Sequence, residues 1–238
     1  MLSMEPNNQS LQTETPNKFL VPFAIIVAGA LVAGAIYFGG QAPVTAGPAK
    51  VDVQNLEVKP VSNQDHMLGS MDADFVVIEY SDTECPFCKV FHNTMKQVMS
   101  DYSGRMAWVY RHLPIPQLHL RASKEAEATE CVAELAGNTA FWTYLDKIFT
   151  TTGSNDTLDP ALLPKFATEV GVSESAFNTC LNSGKYTQAV KDSAEEGFSS
   201  GARGTPYSLI ITKDGKKAVI NGAEPIANVK AKIDALLK

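Results

Sequence analysis

Two cysteines three positions apart, Cys85 and Cys88, stand in the run "FVVIEYSDTECPFCKVFHNTM", directly behind one apolar stretch and at the start of a periodic one. The stretch FVVIEY, residues 75–80, is apolar on both alternations, which is the pattern of a strand buried on both faces and therefore central in its sheet. From residue 86 onward Phe87, Phe91, Met95, Val98 and Tyr102 recur at helical spacing. The chain thus has to pass from a buried strand into a helix within a few residues, and both cysteines fall at that junction. "MAWVYRHLPI", residues 106–115, supplies a second strand ended by prolines, so the unit is β-α-β with a parallel pair and a right-handed crossover.

A helical block follows. Residues 121–136 carry an apolar face of Ala128, Cys131, Val132 and Leu135, and Phe141, Trp142, Leu145, Ile148 and Phe149 form another. "DPALLPKFATEVG" opens on Asp159 as N-cap with Pro160 at the first helical position and stops at Gly171. Ser173 starts a further helix that Gly184 can end, and residues 186–198 complete the block with Val190 and Ala194 inward. "YSLIIT" and "KAVIN" then flank Asp214-Gly215, a hairpin signal, and residues 226–237 form a last amphipathic helix. The fold class is α/β, ordered β-α-β, a helical insertion over about 116–200, then β-β-α.

Ahead of this lies "FLVPFAIIVAGALVAGAIYF", residues 19–38, twenty residues without a charge. At ~1.5 Å per residue such a helix matches the ~30 Å hydrocarbon core of a bilayer. A cleaved secretory signal has a shorter apolar region behind a short basic start. Here 18 residues precede the segment, with Glu5, Glu14 and a single cation, Lys18, so it reads as a transmembrane anchor; the small residues of "QAPVTAGPA" leave cleavage open. Lys18 and Lys50 flank it on opposite sides and leave orientation undecided. All four cysteines lie after it, which suits an oxidising compartment, so the tail 1–18 is expected in the cytoplasm, disordered, and residues 39–60 form a linker to a domain over 61–238. A net charge of −6 without a Lys/Arg cluster argues against a nucleic-acid partner.

The chemistry follows from the junction. At a helix start the unpaired N–H groups and the dipole favour an anion, so Cys85 is expected as a thiolate of lowered pKa, with Cys88 more sheltered, as a resolving sulfur. Disulfide exchange needs such an asymmetric pair. A zinc site would need further ligands at matching spacing, and a purely structural bridge across so short a loop removes little chain entropy. A peroxide-reducing enzyme or redox sensor remains compatible with the two thiols. His92 lies one turn beyond Cys88, on the surface or at the rim; His66, His112 and His119 read as loop or structural residues, since nothing pairs them at ligand spacing. Cys131 and Cys180, an even pair on separate helices, read as a structural disulfide stapling the insertion.

The strand, "ECPFC" at a helix start, the helical insertion and "RGTPYSLII" together resemble the DsbA-like branch of the thioredoxin superfamily from about residue 61 to the C-terminus. The resemblance implies exported thiol:disulfide oxidoreductase activity with the Cys85-Cys88 disulfide as the only redox group, no metal and no separate cofactor. It implies a cis Pro206 facing the cysteines, with Thr205, Pro86 and Phe87 contacting substrate, and it makes Glu79 a buried acid that relays the proton of Cys88. It also implies exported protein thiols as substrates, a quinone-linked membrane oxidase of the DsbB or VKOR type as redox partner, and a monomer. Pro86-Phe87 between the cysteines departs from the most oxidising members, which place a histidine there. The alternatives are a reductase or isomerase of the same fold, or a tethered chaperone or redox sensor without enzymatic activity.

Overall fold

A computed structural model describes residues 53–238. The apolar segment 19–38, the tail ahead of it and most of the 39–60 stretch lie outside the described residues. Among the described residues no helix is long and apolar enough to cross a membrane.

The sheet has five strands: β1 (His66–Leu68), β2 (Phe75–Ser81), β3 (Met106–His112), β4 (Tyr207–Thr212) and β5 (Lys217–Asn221). Their spatial order is β1-β3-β2-β4-β5, which puts β2 at the centre. β2 and β3 run parallel, joined through α1 (Pro86–Asp101), and every other pairing is antiparallel. Only Val76 of β2 escapes full burial, which accounts for its two-faced apolar pattern. β1 is an addition to the expected order. Three half-buried residues carry no period from which a strand can be read.

The insertion consists of α2 (Ala122–Thr151), α3 (Leu162–Glu169), α4 (Glu174–Ser183) and α5 (Thr187–Ser199); α6 (Ile226–Leu236) closes the chain. The two apolar segments expected before and after residue 137 form one run, broken at Gly137, whose φ of 82° is open to glycine and costly for other residues. Near that break Leu135 points outward, 41% exposed, so it leaves the apolar face assigned to it. Ala194 is only partly buried. Asp159 caps a tight turn through Ala161 N–H at 2.9 Å, and α3 proper starts two residues after Pro160, at Leu162. Ser173 caps α4 through Ala176 N–H at 3.3 Å, and Gly184 ends it in the left-handed conformation.

Three apolar clusters hold these parts together. One face of the sheet packs Phe75, Val77, Trp108 and Ile210 against Phe91, Met95 and Val98 of α1, Phe141, Trp142, Leu145 and Phe149 of α2, and Val229 and Ile233 of α6. The opposite face packs Ile78, Tyr80, Val109 and Leu209 with Leu56, Val58 and Val61, so the packed chain reaches back into the expected linker. The insertion has its own core around Val132, Tyr144, Ile148, Phe166 and Phe177. Arg111 ties insertion and sheet, pairing with Asp65 at 2.8 Å and with Glu196 of α5 at 3.1 Å. Gly197 lets α5 approach: a Cβ there would meet the Tyr80 ring at 2.9 Å.

Candidate active site

The C-terminal end of β2 and the first turn of α1 build the site. Cys85 is the N-cap of α1 in extended backbone, and Pro86 follows at the first helical position, where its missing N–H costs nothing. No side chain caps this terminus, so its free N–H groups face the Cys85 sulfur. Cys85 and Cys88 are free thiols, Cys85 at 5% exposure and Cys88 fully buried. Across from them the Thr205-Pro206 peptide is cis, and the Thr205 carbonyl oxygen lies 3.5 Å from Cys85 Sγ.

These contacts separate the two sulfurs. The Cys88 thiol hydrogen-bonds to the Cys85 sulfur; against the cost of burial, that contact, the Thr205 side chain and the N–H groups of Cys88 and Phe87 lower the Cys85 pKa from 9.0 to about 6. Burial first, and then the neighbouring Cys85, push the Cys88 thiol well above its ordinary range, although Asp82 N–H donates to it at 3.4 Å. One sulfur is a thiolate at neutral pH and its neighbour keeps its proton.

Glu79, on β2 six residues before Cys85, is fully buried. Its Oε2 accepts from Trp108 Nε1 at 2.9 Å while Oε1 has no partner, and burial raises its pKa from 4.5 to about 7 against the opposing influence of the nearby Ser81 hydroxyl and the Trp108 N–H. Ser81, two residues along on the same face of β2, has a buried hydroxyl without a fixed partner. That hydroxyl is near enough to the Glu79 carboxyl, the Cys88 thiol and the Tyr110 phenol to favour the charged form of each. Ser81 therefore adjoins both the buried acid and the buried thiol. Sequence reasoning passed it over, although strand alternation from Glu79 points to it.

A second acidic network props the turn before Cys85. Asp82 accepts from Glu84 N–H and Ile115 N–H, each at 2.8 Å, and from His119 Nδ1 at 2.9 Å. Glu84, fully buried, accepts from Thr152 Oγ1 and, at 2.7 Å, from Asp156 N–H. Burial, and then the adjoining Glu84, raise the Glu125 pKa to about 9, so one proton stays with this carboxyl pair at neutral pH. Residues 154–156, all at positive φ, hang from Glu84 and join the insertion to the active-site turn. His92 belongs to neither surface nor rim: it is buried against Trp108 and Phe149, with Nε2 3.2 Å from Asp146, and burial keeps it neutral by lowering its pKa.

Outside, the site is apolar. Phe87 is 63% exposed and Val90, on the next turn, 59%; Leu118 and Leu120 project from the loop that His119 fastens to Asp82. Away from the site, Cys131 of α2 and Cys180 of α4 are joined by a disulfide.

Comparison with known proteins agrees with this architecture. A family described as thioredoxin matches residues 61–235. Among solved structures, Pseudomonas aeruginosa DsbA2 is 25% identical with a TM-score of 0.64, covering 75% of this chain and 97% of its own. Bacillus subtilis BdbD, 20% identical with a TM-score of 0.65, covers 76% and 96% and shares the fold. Among curated proteins, the Na(+)/H(+) antiporter NhaA 1 of Mycolicibacterium gilvum is 30% identical over 159 residues, 66% of this chain and 25% of that protein. The chain thus spans about a quarter of the length of the curated relatives it matches.

Proposed function

The chain belongs to the DsbA-like branch of the thioredoxin superfamily, and from its site we propose that it is a thiol:disulfide oxidoreductase that donates the Cys85-Cys88 disulfide to exported proteins. The observation that carries the reading is the split between the two sulfurs, a thiolate at Cys85 and a buried, protonated Cys88. A substrate thiolate attacks Cys85 Sγ, the Cys85–Cys88 bond breaks, and Cys88 takes up a proton, supplied by Glu79 through the Ser81 hydroxyl. A second substrate thiolate then attacks the substrate sulfur of the mixed disulfide and Cys85 leaves as a thiolate, a good leaving group at that pKa. Two electrons pass from substrate to protein. Phe87, Val90, Leu118 and Leu120 offer an unfolded chain an apolar surface, and Thr205, Pro206 and Pro86 frame the sulfur it meets.

Donation leaves a dithiol that has to be reoxidised, and a quinone-linked membrane oxidase of the DsbB or VKOR type is the partner proposed. Residues 19–38 as an anchor would hold the domain outside the cytoplasm beside such a partner and raise their effective concentration. Thiol pKa values of about 7 in thioredoxin and about 3.5 in DsbA accompany potentials near −270 and −120 mV, so a Cys85 near 6 belongs between them. The test is the reduction potential of the pair in glutathione buffers, together with trapping of a reduced, unfolded protein on Cys88→Ser. The donor reading expects a value between about −180 and −230 mV and a mixed disulfide through Cys85. A value at or below about −270 mV would make the protein a reductase, and no trapped adduct would remove the exchange mechanism.

A further inference from the structure

His66 opens β1, His112 closes β3 and Glu130 lies on α2. Sequence spacing keeps them apart, but the antiparallel register sets His66 opposite Tyr110, so His112 is its diagonal neighbour on the same sheet face. Both imidazoles aim the same atom at one oxygen: His66 Nε2 lies 2.8 Å and His112 Nε2 2.9 Å from Glu130 Oε1. These three donor atoms all fall within 4.8 Å of one another.

We propose that His66, His112 and Glu130 form a binding site for a first-row divalent transition-metal ion of the zinc type. Two imidazoles and one carboxylate match the donor set of three-ligand zinc sites, whereas calcium and magnesium take oxygen ligands. Zn–N and Zn–O bonds of ~2.0–2.1 Å in a tetrahedron set neighbouring donors roughly 3.3 Å apart, so each nitrogen–oxygen contact would lengthen by about half an ångström while the two nitrogens, within 4.8 Å of each other, settle at the same spacing. The frame is built to hold that geometry. The His66 ring stacks on Phe141 with centroids 3.6 Å apart, and His112 is wedged edge-on against Tyr110 and Phe141, with Thr129 Oγ1 3.3 Å from its Nε2. The donors line a cleft shared with Asp65, Tyr186 and Asp192, through which solvent reaches the remaining coordination position. Binding requires each imidazole to carry its proton on Nδ1 and to present the Nε2 lone pair; no electrons are exchanged. The ion would fasten the short edge strand β1 to β3 and to the insertion, independently of the exchange reading.

The test is calorimetric titration of the tag-free full chain with Zn2+ alone, with the Cys85-Cys88 pair oxidised so that its thiolates cannot compete for the metal. One ion per chain is expected. His112→Ala and the isosteric Glu130→Gln should each weaken binding by more than the ~10–100-fold that loss of an outer partner costs. Glu130→Gln decides the matter should His112→Ala fail to fold. Absence of saturable binding, or affinity unchanged in Glu130→Gln, would overturn the site and leave a hydrogen-bonded His-Glu-His cluster.

Discussion

Cys85-Cys88 and Cys131-Cys180 are chemically the same pair of residues in opposite settings. The first, when oxidised, closes a ring of a few residues at the junction of β2 and α1, among helix N–H groups and beside the Thr205 carbonyl. The second joins α2 to α4 across 49 positions, among the apolar residues of the insertion's core. A short loop gives little chain entropy to a bond, while the surroundings decide how easily it opens; a long loop in a dry core does the reverse. A cysteine's role is set here by loop length and neighbouring dipoles rather than by burial, since all four are buried.

The largest effect expected from that contrast is at Cys85. Cys85→Ser should reduce thiol oxidation of a reduced protein substrate to the uncatalysed background, and retention of full activity would remove exchange through Cys85. The paired change Cys131→Ala with Cys180→Ala should leave exchange within about twofold. It should instead lower unfolding stability by about 4 kcal/mol, the loop-closure entropy for this separation, read by denaturant titration. If exchange collapsed while stability held, the two pairs would not be separable.

Glu79→Gln comes next and acts on rate and stability in opposite directions. Attack of Cys88 on a mixed disulfide, the reverse of the step in which Glu79 supplies its proton, requires the carboxylate as proton acceptor and is read by release of substrate from a preformed adduct. The wild-type rate should therefore climb as pH rises through about 7, and the variant should lose that rise and run about a hundredfold slower. The folded-state pKa of Glu79 lies above its usual 4.5, so the proton is held more tightly in the folded chain. The wild type accordingly loses stability as pH rises from about 4.5 through 7, by about 3 kcal/mol. Glu79→Gln should be the more stable protein at pH 8 and gain nothing at pH 4.5. Ser81→Ala should give the smallest change, a few-fold slowing of the same step with the midpoint of its pH profile displaced; an unchanged profile would take Ser81 out of the path.

What could be read from the sequence divides along the same line. The central strand, the cysteines at the helix start and Glu79 on the inward alternation all follow from local periodicity, because each depends on residues within one or two turns. The apolar segment of β1 is too short for a period, and Gly137 lets two expected helices run on as one broken helix. Ser81, Asp82 and Glu84 acquire their surroundings from β3, the 113–121 loop and residues 152–156, and the contact of His66 with His112 and Glu130 exists only through strand pairing. His92 illustrates the limit in the other direction: helical spacing from Cys88 suggested the rim, but the aromatic rings of β3 and α2 cover it.

The surroundings of Cys85 hold its sulfur as a thiolate while its neighbour Cys88 stays protonated. The most direct test is the pH dependence of thiolate absorbance and alkylation rate in the reduced full chain, with Cys131-Cys180 intact. A single titration near pH 6 belonging to Cys85 is expected, with Cys88 unreactive until strongly alkaline pH. Two thiols titrating together near the ordinary ~8.5, or Cys88 ionising first, would contradict it.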